Sequence, residues 1–556
     1  MRKRKCTVQR LFLFMAYWFG FVGCLILTGC QGGCDGSRAQ KQLTRAGESQ
    51  KPVPGGTVVI AFPAEPDVLN SLIRVSSYSG QILSLLQDAA MEMGEDLNWD
   101  PRIAESYEIS ADSLSITFHL RPWVWSDGVP LTAYDFAETF RLLKLPEVAS
   151  PRRGFFDAVI RAVALDSSTI RYDFRQVLPD PLSRTNHNVL PAHITSKLKP
   201  AQISTWPLNM NPLSSGWYRL ERWEHNYELV LVRNKRYPGP QPHLDRIIFR
   251  VIPDETARVV ALETGNVDVM ENLPIQAAKR LADTGNVRIY RVGGRLFAYM
   301  SWNFRNQLFQ DRRVRKAISL AIDRSGFIDG LLGGFATPAA SPLPPALWAH
   351  NPKVQPDPYD PERARGLLAA AGWIDSNGDG YRDKDGHEFE FEILTRYGDP
   401  VRENGLVIIR ENLRQVGIKI RPRILEHATA LELRRKGQFD AYLGLFQVNL
   451  YVDPTPLLHS QATDRFNVGH YSNAVVDSLL ELAVTLPDRQ MAKPVWDRLQ
   501  EVVAEDLPMV FLYYPETLIG VNTRVRSVRP HILSPYNNIN EWWVSPEERK
   551  YGSDRH

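Results

Sequence analysis

Residues 297–334 restrict the fold more than any other stretch. Positions 297–303 alternate and are rich in aromatics, as a half-buried strand requires. Asp311 stands where a helix cap belongs. Val314, Ala317, Ile318 and Ala321 then recur at helical spacing, with Arg312, Arg313, Arg315 and Lys316 turned elsewhere. Gly333 and Gly334 stop a second helical piece. Further on the alternation becomes regular: strands over 389–395, 418–425 and 440–445 are separated by helices near 400–416 and 427–436. That is the βαβ pattern of a three-layer α/β lobe. Asp360 and Pro361 open a helix that Gly372 closes.

Earlier in the chain, residues 57–62, 114–120, 228–232 and 247–251 read as strands, with turns at Ser126-Asp127-Gly128 and Tyr237-Pro238-Gly239. Thr132 and Asp135 make a near capping box for a helix reaching about Leu145. Asp254 caps another helix that ends near Gly265. Residues 507–514 form a last apolar strand.

At 556 residues the chain has length for two or three lobes. A net charge of only +3, with no basic face, excludes a nucleic-acid binder. No H-E-x-x-H, G-x-S-x-G, Walker A, G-x-G-x-x-G or C-x-x-C motif occurs, and Ser196 with Lys199 is a bare S-x-x-K without companion motifs. The chain is therefore read as no enzyme, and without a P-loop it is no ATPase. Asp375, Asn377, Asp379 and Asp383 set oxygen ligands at positions 1, 3, 5 and 9 of a D-x-N-x-D-G run, with Gly380 at position 6. Gly386 stands where a calcium loop needs its bidentate Glu. The run is either a structural calcium loop or a metal-free Asx-rich turn, and no other cofactor is implied.

All four cysteines, Cys6, Cys24, Cys30 and Cys34, fall at the N-terminus, so no disulfide staples the body. Arg2, Lys3, Arg4 and Lys5 precede an uncharged run over 11–29, which ends in Leu27-Thr28-Gly29-Cys30. Small residues before a cysteine look like a lipobox. Residues 1–29 read as a lipoprotein signal peptide, Cys30 as the lipidated residue, and 30–54 as a flexible tether to a bacterial membrane. A retained membrane helix is the competing reading.

Together these stretches resemble family 5 of the bacterial solute-binding proteins, the dipeptide- and oligopeptide-binding partners of ABC importers. The family pattern after its central strand is D-x-R-V-R-x-A, then A-hydrophobic-D-R. Asn303, Asp311, Arg313, Val314, Arg315, Ala317, Ala321, Asp323 and Arg324 match it. Residues 55–72, 103–140, Leu190-Pro191-Ala192-His193-Ile194, Gly265 with Asp268, and 467–473 match other family stretches. Ser214-Ser215-Gly216-Trp217-Tyr218 departs from the family's G-T-G-P-Y.

The resemblance implies a periplasmic-binding-protein type II-like α/β fold of three lobes with an interdomain ligand cleft. Domain I would be discontinuous (55–75, 196–296 and 511–546), domain II would span 76–195, and domain III 297–510. It implies an extracytoplasmic, monomeric binding component that closes on a peptide by a hinge motion and delivers it to a separate permease and ATPase. Ser77, Tyr78, Trp302, Asn303, Gln447, Asn449 and Tyr451 are the expected ligand-binding residues; for Ser77 and its neighbours a helix N-cap is an equal alternative. In peptide-binding members a W-x-x-D-x-x-D-P segment supplies the Asp that pairs with the peptide α-ammonium. Asp453-Pro454 fixes the register here, leaving Leu450 at the ammonium position and Gln447 at the Trp position. A leucine cannot balance a buried cation, which points to a ligand without an essential free amine. An oligosaccharide or other neutral solute, a sensor role, and a secreted hydrolase are the rival expectations.

Overall fold

In the computed structural model, which describes residues 51–550 apart from Pro179, Arg465 and Pro487, the apolar run near the C-terminus becomes one long strand, Met509–Asn522. Its first half pairs antiparallel with Leu296–Trp302 and Ala336–Pro338, with Met509 opposite Ser301 and Pro515 opposite Ala336. Its second half pairs with Val287–Gly293 and Val269–Met270, with Glu516 opposite Gly293 and Asn522 opposite Val287. The partners change between Pro515 and Glu516, so residues 511–515 lie in the third-lobe sheet rather than in domain I, where the sequence placed them. The apolar run is unbroken there, and only Pro515, which has no N–H for a ladder, marks the crossing.

Among the described residues this strand joins a 12-stranded sheet. On one side follow Val269–Met270, Thr57–Phe62, Arg246–Val251, Glu228–Arg233 and Tyr218–Glu224. On the other follow Leu296–Trp302, Ala441–Gln447, Glu390–Arg396 and Lys419–Leu425. Alternate side chains of the second set enter two cores. Met300, Ile393 and Val510 pack against Val314, Ile318, Leu406 and Ile409 on one face. Tyr299, Leu394 and Phe511 pack against Val476, Leu480, Trp496 and Leu499 on the other. This is the three-layer α/β lobe that the βαβ spacing predicts. The helices Pro361–Ala370, Pro400–Arg414 and His427–Arg435 fall where expected, and Asp360 Oδ1 accepts from Arg363 N at 2.9 Å.

The expected second lobe is a four-stranded antiparallel sheet, in the order Ala104–Ile109, Ser115–Leu120, Thr169–Phe174, Val159–Ala164, with the helix Ala133–Lys144 against it. The predicted capping box is present: Asp135 Oδ2 accepts from Thr132 N at 2.7 Å. Asp135 also accepts from Ala192 N at 2.8 Å, tying that helix to the Pro191-Ala192 turn.

The basic helix Arg312–Ala321 departs from expectation. Arg315 is buried rather than turned away. Its guanidinium donates to Phe309 O (2.7 Å), Gln310 O (3.0 Å) and Asp506 Oδ1 (2.9 Å). Arg324 is buried too, donating to Phe511 O at 2.7 Å and Ser319 O at 3.0 Å; burial pulls its pKa down to about 10. The family-like arginines thus satisfy backbone carbonyls, those of the last helical turn among them. The signal peptide, Cys30 and most of the 30–54 tether lie outside the described residues.

Candidate functional site

The sheet itself locates the cleft. Thr57–Phe62, Arg246–Val251 and Val269–Met270 run parallel and end at one level. Because Met270 faces Gly520 and Gly293 faces Glu516, that level borders the crossing point of the long strand. In the third lobe Glu390–Arg396, Lys419–Leu425 and Ala441–Gln447 also run parallel, and Gln447 ends opposite Leu296. The carboxyl ends of both strand sets therefore meet where residues 293–296 and 515–516 pass between lobes. Ligands of open α/β sheets bind outside carboxyl strand ends.

On the third-lobe wall, Gln447 and Asn449 are exposed. Asn449 Nδ2 donates to Tyr451 Oη at 2.8 Å. Tyr451 reaches the second lobe: its ring centroid lies 6.4 Å from that of Phe155, and the Arg184 guanidinium sits 5.1 Å from it. Arg184 also covers Phe155 at 4.3 Å and donates to Phe155 O at 2.9 Å. A guanidinium between two rings is a cation–π clasp. Leu450 packs against the third-lobe core. Asp453 Oδ1 accepts from Thr455 N at 3.0 Å, so this carboxylate caps the turn of Thr455–Leu458.

On the first-lobe wall, Ser76 rather than Ser77 caps the helix Ser77–Leu86, its Oγ accepting from Tyr78 N at 3.1 Å. Ser77 is exposed as the first helical residue. Tyr78 is half-buried, its ring 5.0 Å from that of Phe62 at a strand end. Beyond it lies Glu271, which follows Val269–Met270; it accepts from Gln81 Nε2 at 3.1 Å and from the Tyr536 hydroxyl. Burial raises the Glu271 pKa. Burial first, then the charge of Glu271, raises that of Tyr78.

Two expected ligand residues lie elsewhere. Trp302 and Asn303 follow the far end of Leu296–Trp302, roughly 20 Å from the cleft at ~3.3 Å per residue. Trp302 is enclosed, stacked on Phe309 at 4.7 Å, and donates to Leu507 O at 3.1 Å. Asn303 Nδ2 donates to Gly437 O (3.0 Å) and Phe439 O (2.8 Å). Both fasten the strand–helix junction. The resemblance put both near the ligand, whereas they stand at the end of Leu296–Trp302 away from residues 293–296.

In the 375–386 loop, Asp375 accepts from Gly378 N (2.7 Å) and Gly380 N (3.1 Å). Asn377 accepts from Asp379 N (3.0 Å), Asp379 from Tyr381 N (2.8 Å), and Asp383 from Ser376 N (2.9 Å). The oxygens serve the loop's own amides as Asx turns do. Among the described residues, no three His, Cys, Asp or Glu side chains converge as metal ligands do.

Phe155, Arg184 and Glu271 were not picked out by sequence reasoning. Glu271 had a signal, since it follows a parallel strand directly. Phe155 and Arg184 reach the cleft only through lobe packing, which no local pattern encodes.

Comparison with known proteins agrees with this fold. A model of the bacterial extracellular solute-binding proteins, family 5 middle region, matches residues 98–467. The oligopeptide-binding protein AppA of Bacillus subtilis is 28% identical over 560 residues, covering 98% of this chain and 100% of that protein. The glutathione-binding protein GsiB of Salmonella typhi is 25% identical over 498 residues, covering 86% and 89%. The structure of B. subtilis AppA in complex with a nonapeptide superposes with a TM-score of 0.66 at 27% identity, over 89% of this chain and 100% of that one. HbpA2 of Haemophilus parasuis, at 20% identity and a TM-score of 0.78 over 88% and 100%, shares the fold.

Proposed function

The chain belongs to the bacterial extracellular solute-binding proteins of family 5, and from that premise we propose that its cargo is a peptide held between the first and third lobes. Members of this family are extracytoplasmic substrate-binding components that work with ABC permeases, not enzymes. The observation that carries the peptide reading is full-length similarity to an oligopeptide-binding protein whose solved complex holds a nonapeptide. The cleft between two sets of strand ends suits an extended ligand, which can pair its backbone with exposed strand edges. Closure is a hinge motion at residues 293–296 and 515–516, and cargo stabilises the closed form by binding it more tightly than the open one.

Leu450 adds a restriction. A peptide amine buried beside an apolar side chain would lack its counter-charge, so the cargo is held without a demand for a free α-amine. N-acetylation of a bound peptide is expected to leave its affinity within about threefold, less than 1 kcal/mol. Native mass spectrometry of residues 35–556 supplies the peptides, as a ladder of retained masses that fragment into amino acids. Hexose-spaced masses would replace the peptide reading with an oligosaccharide one. A large loss of affinity on acetylation would remove the role given to Leu450.

The same proposal takes the chain as a monomer anchored through lipid on Cys30. Incorporation of labelled palmitate by the full chain is expected, and its loss in Cys30→Ser, with release from membranes; labelling that survives the substitution counts against the lipobox.

A further inference from the structure

Two guanidiniums at the junction of the first and second lobes have no part in the contacts described so far. Arg74 ends a turn in which its own N–H donates to Asn70 O at 3.0 Å. The Ser150 hydroxyl donates to Leu72 O at 2.5 Å, docking the turn that carries Arg152 onto the one that carries Arg74. Arg152 N donates back to Ser150 Oγ at 3.3 Å.

Neither guanidinium forms an ion pair among the described residues. Arg74 Nη1 makes only a long contact to Ser76 O, at 3.4 Å, and its Nε is buried without an acceptor. Asp67 is the carboxylate near Arg74, yet it is taken by Val75 N (2.7 Å), Ser76 N (3.2 Å) and the Ser79 hydroxyl. Burial, then the like charge of Arg74, pulls the Arg152 pKa down. Asp67 offsets the charge of Arg74 alone, and two guanidiniums largely out of water leave positive charge that a further anion would balance.

The place is not remote from the cleft. Three residues after Arg152, Phe155 meets Tyr451 of the third lobe. Three residues after Arg74 begins the helix Ser77–Leu86. Its first amides also favour negative charge. At the register position of the ammonium-binding aspartate the third lobe carries Leu450.

We propose that Arg74 and Arg152 form an anion seat that takes a carboxylate of the cargo. The proposal rests on the peptide reading for the identity of the carboxylate, but not for the seat itself. Bidentate guanidinium–carboxylate pairing is among the stronger polar contacts available.

The test uses N-acetylated peptides without Asp or Glu, made with either a free C-terminal carboxylate or an amide, titrated against the soluble chain. The free-acid series is expected to bind about thirtyfold tighter or more, the lower end for a desolvated charge pair. That preference should vanish in the Arg74→Gln, Arg152→Gln double variant while amide affinity holds. Equal binding of acid and amide by wild type overturns the seat and leaves the peptide reading intact. So does a preference that survives the substitutions. If the double variant fails to fold, the acid–amide comparison in wild type decides, with Arg152→Lys expected to keep part of the preference. If no peptide of either series binds, the peptide reading falls, and inorganic phosphate becomes the probe. Calorimetric heat in wild type that is lost in Arg152→Gln supports the seat, and no heat in wild type overturns it.

Discussion

Replacing Asp268 with alanine is expected to destabilise the folded chain by about 3–5 kcal/mol, the range for leaving one charge of a buried ion pair alone. Asp268 is 1% exposed and its partner Arg524 is 5% exposed. Arg524 Nε donates to Asp268 Oδ1 at 2.6 Å and Nη2 to Thr57 O at 3.1 Å. Asp268 Oδ2 accepts from Val59 N at 2.8 Å. One carboxylate thus joins the opening strand, the strand that follows Asp268, and the chain just past the long strand. Urea unfolding followed by tryptophan fluorescence measures the loss. Replacing both partners by leucine should restore much of it, because the stranded charge goes with the carboxylate. A single-variant loss under about 1 kcal/mol, the range of an exposed pair, would show that the pair is not desolvated.

The second large effect appears in acid. His187 is enclosed by Phe136, Phe140, Phe156 and Tyr172, with ring centroids 6.0–6.2 Å away. Its Nε2 lies 3.0 Å from the Tyr172 hydroxyl. Burial, reinforced by the Arg152 charge, pulls its pKa from 6.5 to about 4. The folded chain therefore keeps His187 neutral while the unfolded chain takes a proton as pH falls through 6.5. Stability is lost progressively from there down to about pH 4 and is constant below. The full loss is roughly 3 kcal/mol, at about 1.4 kcal/mol per pKa unit. Asp88 works in the opposite sense. Burial, opposed by Arg102, raises its pKa to about 6, so the folded form gains relative stability as pH falls from 6 toward 3.8. The informative quantity is thus the difference between wild type and His187→Phe. The variant should be less stable at pH 7, with the Tyr172 hydroxyl unpaired, and flatter between pH 6.5 and 4. Parallel pH profiles for the two proteins would rule out His187 as the acid-sensitive group.

These two residues also show where sequence reading stops. Asp268 was visible only through its resemblance to the family's G-x-x-D-hydrophobic stretch, where it stands just before the strand Val269–Met270. Its partner Arg524 lies far along the chain, and nothing local links them. His187 sits in an ordinary polar stretch, Asn186-His187-Asn188, and only the second-lobe core makes it buried. The same division runs through the cleft. Helix caps such as Asp360 and Thr132, and strands with clean alternation, were legible because they are set by neighbours in sequence. Arg315 was not, since a basic residue on a basic helix gives no sign that it folds inward onto carbonyls. Trp302 and Asn303 were expected near the ligand, and they lie at the end of their strand away from residues 293–296. Asn449 and Tyr451 were expected near the ligand, and both follow the carboxyl end of Ala441–Gln447.

The long strand Met509–Asn522 sets the order in which the lobes can assemble. It lies between the two halves of the large sheet, and Val287–Gly293 and Ala336–Pro338 pair with nothing else in that sheet. Until this segment has left the ribosome, the first and third lobes share no sheet, and two strands lack their partner. The two lobes are therefore fastened from a single segment that comes after both of them in the chain, and their docking waits on that one strand.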